Sequence, residues 1–249
     1  MPSIPFPSKK VPRAVAIEEL AILQRSYPGA TTALTHRNHF ELLIAVILSA
    51  QCTDARVNMT TPALFAKYPS PAALARAKQS DVEKIVKSCG FFRMKARNII
   101  ACARDVEERF GGNVPRDREQ LESLAGVGRK TASVVMANAF ARPALAVDTH
   151  VFRVAHRLGI TLGTTPRQVE EDVTAIVPPE KWGDATHWLI LHGRAVCKAP
   201  TPQCARCPVN QLCPTPAILA KTVTARARAG ARVAAARPRT RSVSKRKKR

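Results

Sequence analysis

A chain of 249 residues, 45% of them hydrophobic, can bury one sizeable core or two small ones, which excludes a largely disordered protein. The formal net charge of +22 favours a polyanionic partner, either nucleic acid or an acidic membrane surface. The longest apolar run, residues 42–48, is too short to span a bilayer, so we expect no membrane-spanning helix.

The first segment, residues 1–14, is rich in proline, and we predict that it is disordered. It also lacks the apolar stretch of a secretory signal peptide, so we expect a cytoplasmic, nucleoid-associated protein. In that compartment the seven cysteines favour metal binding over a disulfide framework.

Residues 15–212 carry the pattern of a helical protein. Apolar residues recur mostly at spacings of three and four, whereas strand-like alternation is scarce. Glycine and proline breaks divide the segment into roughly ten short helices joined by short turns. The sequence therefore predicts an all-α fold, with N-caps at Asp54, Ser80, Asp117 and Thr165.

Within residues 117–140, two amphipathic helical patterns flank the sequence Leu-Ala-Gly-Val-Gly-Arg-Lys. Gly126 and Gly128 permit backbone conformations in which amides point together at a phosphate oxygen, and the following helix start adds partial positive charge. A plain tight turn is the alternative. Arg129 and Lys130, in a basic chain, favour phosphate binding.

Two side chains near this hairpin are candidates for catalysis. The positive end of a helix disfavours an ammonium ion, so Lys130 is a potential amine nucleophile, although most such lysines are merely solvated. Asp148 opens the next helical pattern, where it is either an N-cap, a catalytic carboxylate or both.

A second specific signal is a loop with the spacing C-x6-C-x2-C-x5-C, formed by Cys197, Cys204, Cys207 and Cys213. Four thiolates suit either tetrahedral zinc or a cubane iron–sulfur cluster, and spacing alone does not separate the two. The remaining cysteines are interpreted as ordinary buried or half-buried residues: Cys52, Cys89 and Cys102.

The last segment, residues 215–249, has almost no large apolar residues, and after Pro216 it holds twelve Lys or Arg and no acid. We predict a disordered basic tail that contacts nucleic acid, with a purely solubilising tail as the alternative.

These motifs together resemble the endonuclease III family. The resemblance is carried by Leu-x-Gly-Val-Gly-Arg-Lys-Thr-Ala, by Val-Asp-Thr-His-Val-Phe-Arg-Val, and by residues 42–51, 95–100 and 187–194. It implies a helix-hairpin-helix DNA glycosylase fold, in which residues 32–142 form a six-helix barrel domain. Residues 15–31 and 143–214 would form an iron–sulfur cluster domain, whose four cysteines hold a [4Fe-4S] cluster rather than zinc.

The resemblance also implies a monomeric base excision repair glycosylase with AP lyase activity. It would remove oxidised pyrimidines from damaged double-stranded DNA and cut 3′ of the abasic site by β-elimination, with Lys130 as nucleophile and Asp148 as its partner. Gln51 would enter the vacated base stack, and Phe91 would wedge the opposite strand, although an aliphatic residue is expected there. The DNA-binding residues are expected to be Gln51, Phe91, Gly126, Val127, Gly128, Arg129 and Thr131.

Two other functions compete with this interpretation. Monofunctional adenine-type glycosylases share the hairpin, the aspartate and the cysteines, but they lack a lysine at the position of Lys130. A non-catalytic helix-hairpin-helix DNA-binding protein would use the same hairpin and basic tail.

Overall fold

The computed structural model describes residues 4–222 and 224. Its α-helices are α1 (Arg13–Ser26), α2 (His39–Ser49), α3 (Asp54–Lys67), α4 (Pro71–Ala75), α5 (Gln79–Val86), α6 (Phe92–Phe110), α7 (Arg118–Glu122), α8 (Arg129–Phe140), α9 (Thr149–Arg157), α10 (Pro166–Thr174) and α11 (Trp182–Ala195). Short 3₁₀ helices cover Lys87–Cys89, Pro179–Lys181 and Cys204–Arg206. The described residues contain no strand, so the predicted all-α fold is confirmed. Within the same residues, no helix is both long and apolar enough to cross a membrane.

The buried apolar side chains form two separate clusters. The first draws on residues 34–135, from α2 to α8. The second combines α1, residues 16–23, with residues 145–209. Each cluster buries its apolar side chains away from water separately, so the chain has two hydrophobic cores. The segment between α8 and α9 connects them.

Helix starts agree only in part with the predicted caps. Asp117 caps α7, and Thr165 caps α10 through a capping box with Gln168. The prediction is wrong at Asp54, because the preceding Thr53 accepts from the Arg56 amide and caps α3. It is also wrong at Ser80, which lies inside α5, a helix without a side-chain cap.

Both ends of the described chain are more ordered than predicted. Phe6 stacks on His156 with ring centroids 4.6 Å apart, and the Val11 amide donates to the Gly159 carbonyl at 2.9 Å. At the other end residues 215–222 are helical, and the buried Thr215 hydroxyl donates to the Arg157 carbonyl at 2.6 Å. These contacts anchor both segments on the second core; residues 1–3 and 225–249 lie outside the described residues.

Glu19 is a charged side chain within this second core. It lies on the inner face of α1 with 0% exposure, and neither of its carboxylate oxygens has a hydrogen-bond partner among the described residues. Burial raises the pKa of Glu19 from 4.5 to about 8. Because an unpaired buried carboxylate is costly, the folded state keeps this side chain protonated at neutral pH.

We expect Glu19→Leu to stabilise the protein, and to do so more at pH 8.5 than at pH 5.5. The unfolded chain ionises Glu19 above pH 4.5 while the folded chain holds the proton until about pH 8, so wild-type stability falls across that window. The gain at high pH should be roughly 4 kcal/mol, measured by denaturant unfolding. Glu18→Leu, on the exposed face of α1, is the matched control. An equal gain at both pH values would contradict this interpretation.

Candidate active site

The predicted hairpin lies between α7 and α8. Gly126 has φ +78°, and a Cβ placed there would lie 3.0 Å from the Asn98 Cβ, so both the backbone and the close approach to α6 require glycine. Gly128 is extended, with φ −101° and ψ 179°, and a Cβ there would meet open space. Gly128 is also the N-cap of α8. Because glycine has no side chain to accept a hydrogen bond, the first amides of this helix receive none from the N-cap residue.

Two hairpin residues have other partners than predicted. The Val127 side chain is 6% exposed within the first core, and its amide donates to the Leu124 carbonyl at 3.1 Å, so both are engaged within the turn. Arg129 forms a bidentate ion pair with Glu170 of α10, with nitrogen–oxygen distances of 2.7 and 3.2 Å. This hydrogen bonding raises the pKa of Arg129 and joins the hairpin to the second core.

Lys130 and Asp148 each lie at the start of a helix. Lys130 is the second residue of α8, is exposed, and forms no ion pair with any residue in the described range, in contrast to Arg129. Asp148 is the N-cap of α9, where its Oδ1 accepts from the His150 and Val151 amides, both at 2.8 Å. The cap interpretation is therefore correct, and Oδ2 receives no hydrogen bond from the described residues.

The His150 ring connects these two side chains electrostatically. Burial lowers the pKa of His150; the Asp148 carboxylate opposes this shift, whereas Arg153, Arg194 and Lys130 add to it. Because such effects decay with distance, the start of α8 at Lys130 lies in the neighbourhood of His150, two residues after Asp148. Lys130 at the start of α8 and Asp148 at the start of α9, one from each core, thus both act on the His150 ring.

The Gln51 and Phe91 side chains are exposed in tight loops. Gln51 follows α2 with φ 53°, and Phe91 precedes α6 with φ 44°; both are left-handed conformations that cost a non-glycine residue free energy. Phe91 is 62% exposed, which excludes a core role. Arg194 of α11 forms an ion pair with Asp54 at 3.0 Å, next to the Gln51 loop. Thr131 is half-buried on the first turn of α8.

The four cysteines of the C-terminal loop line one cavity, together with His192 and Leu158. Burial raises the pKa of Cys207 to about 11 and that of Cys213 to about 12. Among the described residues no three His, Cys, Asp or Glu side chains converge as ligands of a single metal ion. All four thiols of this loop thus line one shared cavity.

Two buried side chains that the sequence interpretation did not single out organise this cavity. Arg157 is 4% exposed, and its Nη1 donates to the Lys198 carbonyl at 2.8 Å and lies 3.6 Å from the Cys197 Sγ. His192 Nε2 lies 3.6 Å from the Cys207 Sγ. Arg157 and His192 are polar residues at helix positions where the apolar spacing predicts a buried side chain. That mismatch is the sequence signal by which they could have been found.

Comparison with known proteins places these sites in a family. Residues 44–179 match the HhH-GPD superfamily of base excision DNA repair proteins. Endonuclease III of Synechocystis sp. is 48% identical over 201 residues, covering 80% of this chain and 92% of that protein. Endonuclease III of Escherichia coli (strain K12) is 45% identical over 201 residues, covering 81% and 95%.

A solved structure is similar over the same length. It is a trapped endonuclease III–DNA covalent intermediate, with a TM-score of 0.79 and 44% identity, and the match covers 82% of this chain and 97% of that one. Because residues 44–179 match the superfamily and these relatives are 44–48% identical to the chain, the chain belongs to the endonuclease III family within the HhH-GPD superfamily of base excision DNA repair proteins.

Proposed function

We propose that this chain is a base excision repair DNA glycosylase with AP lyase activity in which Lys130 is the nucleophile and Asp148 its acid–base partner. The observation that carries this proposal is that, among the described residues, an exposed amine without an ion pair and a carboxylate with a free Oδ2 stand at the starts of two helices, and both influence His150. Family membership supports the reaction class. The relative trapped as a covalent intermediate with DNA supports a covalent route.

In the proposed reaction, Asp148 accepts a proton from Lys130. The neutral amine attacks C1′, and the bond from C1′ to the damaged base breaks. The amine has then lost its proton, and its nitrogen lone pair opens the C1′–O4′ bond while O4′ takes up a proton, which gives an iminium. The iminium acidifies the C2′ proton; when a base removes that proton, the C3′–O bond breaks and the 3′ phosphate leaves. The Asp148 carboxylate stabilises the positive charge that develops on the sugar.

Damaged double-stranded DNA is the proposed substrate, lying across the cleft between the two cores. The uncapped start of α8 and the open space above Gly128 support a phosphate site there. Exposure of Gln51 and Phe91 supports their proposed insertion into DNA from which a base has been extruded. Arg129 would bind phosphate only after releasing Glu170. The monomeric state and the cytoplasmic location stay predictions.

A panel of duplexes, each with one lesion, tests the proposed activity. We expect release of oxidised pyrimidines together with cleavage 3′ of the resulting site. Release of adenine without strand cleavage would instead identify the adenine-type alternative. Binding without either reaction would identify a DNA-binding protein.

We also propose that Cys197, Cys204, Cys207 and Cys213 hold a [4Fe-4S] cluster. The cavity that all four thiols line, and the Arg157 guanidinium beside Cys197, fit an anionic group held by four thiolates. Membership of the endonuclease III family supports the iron–sulfur cluster over zinc. When bound, the group would chiefly supply structural stability to the loop. Residues 15–31 and 143–214 would then form the cluster domain, and residues 32–142 the six-helix barrel.

We expect Cys207→Ala to reduce the iron and acid-labile sulfide of the purified protein to near zero, because loss of one thiolate leaves a cluster incompletely held. Elemental analysis measures both. Cys102→Ala is the control, since Cys102 is fully buried in the first core, away from the cavity. Zinc in place of iron in the unmodified protein would contradict the assignment.

A further inference from the structure

His192 of α11 contacts two of the four cysteines of the C-terminal loop. Its backbone carbonyl accepts the amides of Val196 and Cys197, at 2.9 and 2.8 Å, where the chain leaves α11. Its ring reaches the Cys207 sulfur, with Nε2 3.6 Å from Sγ. The side chain is 1% exposed, so water has almost no access to the ring. One buried residue thus holds the loop through its backbone and through its side chain.

The other ring nitrogen of His192 also has a partner. Tyr27, directly after the last residue of α1, places its hydroxyl oxygen 3.2 Å from the His192 Nδ1. The two rings meet edge to face, with centroids 6.1 Å apart and an angle of 68° between their planes. Burial raises the pKa of Tyr27, so its hydroxyl keeps its proton at neutral pH. Both nitrogens of the buried imidazole are therefore engaged, one by the end of α1 and one by the C-terminal loop.

The chemistry of the cysteine decides the direction of these two hydrogen bonds. A cysteine that holds a metal does so as a thiolate, which accepts hydrogen bonds and donates none. In an uncharged His192 ring one nitrogen carries a proton and the other accepts, so Nε2 must hold the proton that faces Cys207. Nδ1 is then left to accept the Tyr27 O–H. With the proton on Nδ1, a lone pair would face the thiolate in a site closed to water, at a cost in free energy.

We propose that Tyr27 and His192 form a hydrogen-bond relay to Cys207 that raises the reduction potential of the proposed cluster. The relay rests on the proposed cluster and not on the proposed glycosylase activity. An N–H that faces a ligand sulfur stabilises negative charge there, and reduction adds negative charge to the cluster, so the donor favours the reduced state. Because the ring is closed to water, solvent supplies no substitute donor. Tyr27 and His192 are positioning residues, since neither is a ligand.

Film voltammetry of the full-length, cluster-loaded protein measures this potential directly. His192→Leu removes the N–H donor, and we expect a more negative potential. His192→Gln can place an amide N–H near the former Nε2, so most of the wild-type potential should return. Tyr27→Phe keeps both rings and loses only the hydroxyl that fixes the tautomer, so its potential should shift in the same direction by less. Tyr68→Phe, in the first core, is the matched control and should not shift.

Iron and acid-labile sulfide are measured on every variant first, which separates loss of the cluster from a change in its potential. An iron-loaded His192→Leu with an unchanged potential would overturn the relay, and an equal shift in His192→Gln would assign the effect to packing and overturn it too. Tyr27→Phe with an unchanged potential would overturn the relay even if His192→Leu loses its iron. Zinc without iron in the wild-type protein would remove the cluster proposal and the relay with it. A loaded protein that releases no base, yet shows these shifts, would contradict the proposed function and leave the relay standing.

Discussion

Replacement of Lys130 by alanine is expected to abolish covalent trapping on DNA. Incubation of the wild-type protein with a lesion duplex and borohydride should reduce the iminium and leave enzyme bound to the sugar. Without the Lys130 amine no iminium forms, and strand cleavage should fall roughly 10⁴-fold or more. The measurement is the yield of covalent complex on a denaturing gel, with single-turnover strand cleavage alongside.

The Lys130 variant should fold normally, because the side chain is exposed at the start of α8 and forms no ion pair with the described residues. Its free energy of unfolding should change by less than about 0.5 kcal/mol. Lys84→Ala, with a side chain that is 80% exposed on α5, is the matched control and should retain full trapping. Trapping that persists in Lys130→Ala would assign the nucleophile to another amine.

Asp148→Asn is expected to separate the two roles of this side chain. Asparagine can accept the His150 and Val151 amides as Asp148 Oδ1 does, so the cap of α9 is kept and stability should fall by no more than about 1 kcal/mol. It cannot take a proton from Lys130 or stabilise a cationic sugar. Single-turnover base release should therefore drop by about 10²- to 10⁴-fold.

Asp148→Ala is the companion variant. It removes the cap as well as the carboxylate, so it should lose activity to a similar extent and about 0.5–2 kcal/mol of stability in addition. Denaturant unfolding and single-turnover kinetics on both variants give the comparison. An active Asp148→Asn beside an inactive, destabilised Asp148→Ala would reduce Asp148 to a helix cap.

Two residues that were predicted to bind phosphate already have partners within the protein. Arg129 was predicted to bind phosphate, yet Glu170, 41 residues along the chain, already holds its guanidinium. Val127 was predicted to line the same site, but its side chain and amide are both used inside the protein. These partners narrow the proposed phosphate site to the backbone at Gly128 and at the residues after it in α8.

The sequence by itself determined the features that depend on near neighbours along the chain. Helical spacing of apolar residues predicts the all-α fold, and Gly126 with Gly128 predicts a tight hairpin between two helices. Lys130 and Asp148 are candidates because each stands at a predicted helix start. The four-cysteine spacing predicts one metal-binding loop. All of these patterns span a few residues, over which the geometry of a helix or a turn is fixed.

Only the tertiary structure decided which distant side chains meet. The pairing of Arg129 with Glu170 and the burial of Glu19 in the second core join segments that no local spacing relates. The same holds for Phe91, whose exposure depends on how α6 packs rather than on its neighbours in sequence. Hydrophobic packing is non-directional, so an apolar pattern predicts that a face is buried but does not identify what covers it.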